Sequence, residues 1–97
     1  MFKSSESSRV AIVSGASRGI GLEVTKRLIA SGYRVVPNSR RITSAMTLQS
    51  TADLMLMDGN IGLRETARQV VAAALQSFGR VDLLVNNAGI FYLQALH

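Results

Sequence analysis

Val10-Ala11-Ile12-Val13 is an unbroken apolar run that passes straight into Ser14-Gly15-Ala16-Ser17-Arg18-Gly19-Ile20-Gly21, and few folds accept that succession. A strand with no polar alternation has both faces covered, which predicts a parallel strand between layers of helix. Beyond the glycines, Ile20, Val24 and Leu28 recur at helical spacing while Lys26 and Arg27 occupy another face. This predicts an amphipathic helix that ends near Ser31, with Gly32 as its C-cap. The glycines between strand and helix are spaced G-x-x-x-G-x-G. The first permits a sharp turn, the later ones let a pyrophosphate and the neighbouring strand approach the backbone, and the helix start offers free N–H groups and a positive dipole end. An anion is expected at this corner.

The rest of the chain repeats the alternation. Tyr33 to Asn38 reads as a second strand, with Pro37, which has no N–H to donate, marking its end. Between Ile42 and Ala52 the pattern is divided: Ala45, Met46 and Leu48 could line a short helix, while the Ser/Thr content suits a loop. Asp53 to Met57 reads as a third strand, followed by a turn at Asp58-Gly59-Asn60. Leu63, Ala67, Val70, Val71, Ala74, Leu75 and Phe78 then form one stripe with Arg64, Glu65, Arg68 and Gln69 turned away, and Gly79 ends that helix. Val81 to Val85 is a fourth buried strand running into Asn86-Asn87-Ala88-Gly89, and Ile90 to His97 completes no recognisable element. The succession predicts an α/β fold with a parallel sheet and right-handed crossovers.

Composition narrows the chemistry. The chain has no cysteine and a single histidine, His97, so thiolate chemistry is absent and no metal site is expected. Residues 1–8 are polar and serine-rich and read as a disordered tail, with neither a signal-peptide core nor a membrane-spanning run nearby. A soluble, cytoplasmic protein is the expectation. The net charge of +5 is concentrated in residues 1–41, where eight Lys/Arg stand against Glu6 and Glu23. That basic half also holds the anion corner, and no nucleic-acid-binding motif accompanies it, so nucleic acid is not the expected partner.

Two segments carry a family resemblance. Ser14 to Gly21 matches Thr-Gly-x-x-x-Gly-x-Gly with serine in place of threonine, and Asn86 to Gly89 reads Asn-Asn-Ala-Gly. In that order and separation, and with the Phe78-Gly79-Arg80-Val81-Asp82 approach to the fourth strand, the chain resembles the cofactor-binding half of classical short-chain dehydrogenases/reductases over about residues 9–90. The resemblance implies a partial Rossmann-type, doubly wound sheet of about four strands ordered 3-2-1-4, with residues 9–97 as an incomplete NAD(P)-binding domain. It implies an oxidoreductase acting on alcohol or carbonyl groups. Gly15, Ser17, Gly19, Ile20 and Gly21 would line the diphosphate and adenosine ribose, and Asn86, Ala88 and Gly89 would pack beneath the cofactor.

In this family a carboxylate at the end of the second strand favours a free ribose 2′-hydroxyl and repels a 2′-phosphate. Ser39 stands there, Arg40 follows, and Arg18 lies in the glycine loop, so NADP(H) is expected over NAD(H). Adenine is expected against Gly59-Asn60-Ile61, with Asn60 in the place the family gives to Asp; a two-residue shift would give Asp58 that role. The resemblance also places a catalytic serine and a Tyr-x-x-x-Lys pair downstream of Asn-Asn-Ala-Gly. Tyr33 is followed four residues on by Pro37 and Tyr92 by Leu96, so no catalytic residue is assigned. The chain is expected to be truncated before the catalytic half, inactive alone and marginally stable. Its fourth strand would be an open edge, and the alternative reading is a noncatalytic module that pairs with another chain there.

Overall fold

The apolar run after Arg9 forms β1 (Val10–Ser14), all of it buried, because both of its faces carry side chains that leave water only if helices cover them. The computed structural model describes residues 9–16, 19–44, 48, 51–86 and 89–96. Within them β1 is followed by α1 (Gly19–Ala30), β2 (Arg34–Ser39), a single 3-10 turn at Ile42–Ser44, β3 (Met57–Asp58), α2 (Arg64–Phe78), β4 (Val81–Asn86) and β5 (Gly89–Leu96). The sheet order is β3-β2-β1-β4-β5, and the first four strands are mutually parallel, as expected.

Successive β1 residues feed opposite cores. Ala11 and Val13 join Val35, Leu54, Leu83 and Val85 under Val24, Leu28 and Ile29 of α1. Val10 and Ile12 join Val36 and Val81 under Val70, Ala74 and Phe78 of α2. Each fully buried Val or Ile contributes about 1.5–3 kcal/mol through the water its side chain leaves. Both helices stop where their glycines predict. Tyr33 N–H donates to Leu28 O and Gly32 N–H to Ile29 O, both at 3.0 Å, closing α1, while Gly79 N–H donates to Leu75 O at 2.9 Å and closes α2.

Pro37 does not end β2, which continues to Ser39. Val35 directs both its backbone groups at the third strand, donating to Asp53 O at 2.9 Å and accepting from Met55 N–H at 3.0 Å. Two residues on, Pro37 turns its nitrogen to that same side, so its missing N–H leaves the β1–β2 ladder intact through Val13↔Pro37 and Ser14↔Asn38. The deficit falls on the other neighbour. The third strand, expected over Asp53–Met57, pairs at Val35↔Leu54, lapses, and pairs again at Met57–Asp58.

The fourth-strand edge, expected to stand open, is occupied. β5 lies antiparallel to β4, with Asn86 opposite Gly89 and Leu84 opposite Phe91. The outward N–H and C=O groups of β4 require partners, and the Ile/Phe/Tyr/Leu-containing stretch after Gly89 supplies them. Of the candidate helix between Ile42 and Ala52, the structure shows the 3-10 turn and places Leu48 against the α1-side core; Ala45 and Met46 lie outside the described residues. Among the described residues no helix is long and apolar enough to cross a membrane.

At the amino end of the sheet a carboxylate joins β1 to β4. Asp82 Oδ2 accepts from Val10 N–H at 2.9 Å and Arg80 Nε at 2.8 Å, and Oδ1 accepts from Arg80 Nη2 at 2.7 Å. These bonds hold the Asp82 carboxyl below the ordinary carboxylate range, the Arg80 side-chain bonds most strongly, against an opposing push from burial.

Candidate functional site

Because β1 to β4 run in one direction, Ser14, Ser39, Asp58 and Asn86 all arrive at the same edge of the sheet. The chain order reverses there, β1 lying between β2 and β4, and open α/β sheets bind ligands outside the carboxyl ends at such a reversal. Ser14 Oγ reaches Val85 O at 3.5 Å across β1 and β4, and Ala16 N–H donates to Asn38 O at 3.1 Å, fixing the start of the glycine loop on β2.

The glycine corner has the shape an anion needs. A Cβ on Gly21 would overlap the carbonyl of Gly15, so only glycine lets the first turn of α1 sit this close to the loop. Gly19 has φ +64°, and nothing lies within 4 Å of where its Cβ would stand. Among the described residues, no atom therefore stands over Gly19 at the start of α1. Its first-turn N–H groups lack intrahelical acceptors, and no acidic side chain occupies that turn. Ile20 is 82% exposed, which leaves its apolar flank open to a ligand. Ser17 and Arg18 lie outside the described residues.

The end of β2 meets the turn after β3. Ser39 O accepts from Gly59 N–H at 2.9 Å, which brings Ser39 and Arg40 alongside Gly59-Asn60-Ile61. Arg40 is exposed and forms no ion pair among the described residues. Asn60 builds the entry to α2: its Oδ1 accepts from Gly62 N–H at 2.9 Å and its backbone carbonyl from Leu63 N–H at 3.0 Å. The side-chain carbonyl retains a second lone pair for a ligand. Ile61 packs its side chain on the α2-side core, so its backbone is the part available outside.

Asp58, the alternative adenine contact, is engaged elsewhere. Its Oδ1 accepts from Thr43 N–H at 2.9 Å and its Oδ2 from Thr43 Oγ1 at 2.6 Å. Those bonds, the side-chain one foremost, hold its carboxyl below the ordinary range. Sequence reasoning overlooked both Thr43 and Asn38. Asn38 is buried, and its Nδ2 donates to Met57 O at 3.0 Å and to Gly59 O at 3.2 Å, tying β2 to the end of β3. The available signal was an amide in an otherwise apolar strand, since a buried polar side chain must find partners.

Asn86 closes β4 beside the β1 end, Gly89 opens β5, and Ala88 lies outside the described residues. Tyr33 packs against the α1-side core near the amino end of β2, on the far side of the sheet from this site.

Comparison with known proteins gives a consistent answer. The family model for short chain dehydrogenase matches residues 9–97. A Streptomyces violaceoruber protein described as a candidate ketoacyl reductase of the granaticin polyketide synthase is 43% identical over 82 residues, covering 82% of this chain and 33% of that protein. Among solved structures, a Brucella melitensis 3-ketoacyl-(acyl-carrier-protein) reductase complexed with NADH superimposes with a TM-score of 0.72 at 30% identity, covering 84% of this chain and 34% of that one. YwfH, an NADPH-dependent reductase involved in bacilysin biosynthesis, gives a TM-score of 0.71 at 30% identity, covering 84% and 37%. The chain spans about a third of the length of the curated relatives it matches.

Proposed function

The chain belongs to the short-chain dehydrogenase family, and on that premise we propose that its glycine corner binds the diphosphate of a nicotinamide dinucleotide, with NADP(H) preferred over NAD(H). The observation that carries this reading is the pairing of Gly21, closed against Gly15, with Gly19, open above the start of α1. A phosphate seated there would accept from backbone N–H groups and meet the positive end of the helix dipole. Gly15, Ser17, Gly19, Ile20 and Gly21 bind the diphosphate and ribose; Asn60 and Ile61 receive adenine; Asn86, Ala88 and Gly89 pack beneath the cofactor.

The preference for NADP(H) rests on Ser39 and Arg40. A carboxylate at Ser39 would repel a 2′-phosphate; serine does not, and Arg40 beside it offers a guanidinium for charge-assisted hydrogen bonds, with Arg18 as a second. Relatives of similar likeness include one complexed with NADH and one described as NADPH-dependent, so these local residues carry the distinction.

When bound, the cofactor supplies a hydride for exchange between an alcohol and a carbonyl compound. The residues present here bind and orient it. The sequence contains no Tyr-x-x-x-Lys, so no catalytic residue is assigned, and no turnover is expected from these 97 residues alone. Association through the fourth-strand edge is disfavoured, because β5 already pairs with it.

Calorimetric titration with NADPH and NADH tests the reading. NADPH should bind more tightly, Arg40→Ala should remove the difference, and Gly19→Asp should abolish both by placing a carboxylate where the phosphate sits. Equal affinities unaffected by Arg40→Ala would refute the preference, and tight binding by Gly19→Asp would refute the site.

A further inference from the structure

Arg40 lies in a short segment whose two ends are held by the same neighbour. At one end, Ser39 O accepts from Gly59 N–H at 2.9 Å, and Ser39 stands opposite Asp58 in the β2–β3 ladder. At the other end, the Asp58 carboxylate accepts from Thr43 N–H at 2.9 Å and from Thr43 Oγ1 at 2.6 Å. Between them the Ile42 side chain is fully buried in the α1-side core. The chain thus leaves the sheet at Ser39, carries Arg40 and Arg41 through solvent, and returns against Asp58-Gly59.

We propose that Asp58 is a positioning residue for cofactor selection: through Thr43 it fixes the segment bearing Arg40, so that this guanidinium is held ready for the 2′-phosphate of NADP(H). The proposal rests on the NADP(H) preference argued above. Two observations support it. Both Thr43 donors meet one charged carboxylate, and hydrogen bonds to an ionised acceptor are the stronger kind, so the contact restricts Thr43 and with it the segment from Ser39. The same two bonds turn both Asp58 oxygens toward Thr43, so the carboxylate engages the segment that carries Arg40. Restricting a binding segment beforehand lowers the ordering cost paid when ligand arrives.

Removing Asp58 also removes a negative charge, so the test compares Asp58→Ala with Asp58→Asn. Both are neutral, but Asn retains a carbonyl oxygen for Thr43. The affinities of the 97-residue chain for NADPH and NADH are measured by calorimetry, with thermal unfolding followed in parallel. The NADPH/NADH affinity ratio should be about three- to tenfold lower for Asp58→Ala than for Asp58→Asn. Thr43→Val, which keeps the charge and loses the hydroxyl donor, should lower the ratio in the same direction and serves if Asp58→Ala does not fold. In an Arg40→Ala background these differences should vanish, because Asp58 acts through Arg40. Equal ratios in the two Asp58 variants, a parallel loss for both cofactors, or a difference that survives Arg40→Ala each overturn the role of Asp58 alone. A native chain that does not prefer NADPH, or whose preference ignores Arg40→Ala, overturns the underlying reading and the proposal with it.

Discussion

Asp82→Ala should be among the most damaging single changes at the amino end of the sheet. Val10 is fully buried, and its N–H has the Asp82 carboxylate as its partner at 2.9 Å. Leaving that donor without an acceptor costs about 1–3 kcal/mol. The Arg80 pair is two-pronged but wetted, with side-chain exposures of 29% and 20%, so its loss adds little. A loss of about 1–3 kcal/mol would lower the midpoint of a chain this size by about 4 °C or more. Urea and thermal unfolding followed by circular dichroism measure it. The sign of the pH dependence follows from the depressed carboxyl: its stabilisation is present above the unfolded-state pKa, about 3.9, and lost as pH falls through the lower folded value. The difference between native and variant should therefore hold from pH 7 to about 5 and narrow below about 4. A difference under about 0.5 kcal/mol at pH 7, or one unchanged at pH 2.5, would refute the argument.

Gly21→Ala should weaken NADPH and NADH together by tenfold or more, since its Cβ drives the helix start off Gly15, whereas Gly19→Ala meets open space and should cost only the about 1 kcal/mol of its positive φ; calorimetry beside thermal unfolding separates the two. Ile12→Ala empties the centre of the α2-side core and should cost about 2–5 kcal/mol by urea titration, without changing the NADPH/NADH ratio. Pro37→Val restores a donor toward the third strand and should slow amide exchange at Met55 and Gly59; unchanged exchange would contradict the assigned direction of the proline nitrogen.

The parts of the fold legible in the sequence are those fixed by local chemistry. Val10–Val13 has no polar face, Gly15–Gly21 cannot be anything but a turn into a helix, and the Leu63–Phe78 stripe has only one helical register. Pro37 reads as a terminator because a sequence does not say which neighbouring strand its nitrogen faces. β5 is not legible in the sequence because, although Ile90-Phe91-Tyr92 are strand formers, the antiparallel return is set by the unpaired groups of β4. At the candidate site the glycines and Arg40 announced themselves through motif and charge. Asp58 did not reveal its partner: Thr43 lies fifteen residues earlier, in a stretch whose composition favoured neither helix nor loop.

The interruption that Pro37 makes between β2 and the third strand also sets where the native state can come apart. Among the described residues that strand pairs with β2 at Leu54 and Met57–Asp58 and otherwise carries only the Thr51↔Leu54 bridge, so it should detach at lower free energy than β1, which is laddered on both sides. The turn proposed to receive adenine follows directly on this edge element. Dinucleotide binding would then act as a latch, and its imprint should be a selective slowing of exchange along Leu54–Ile61 while the β1 amides, protected already, hardly change.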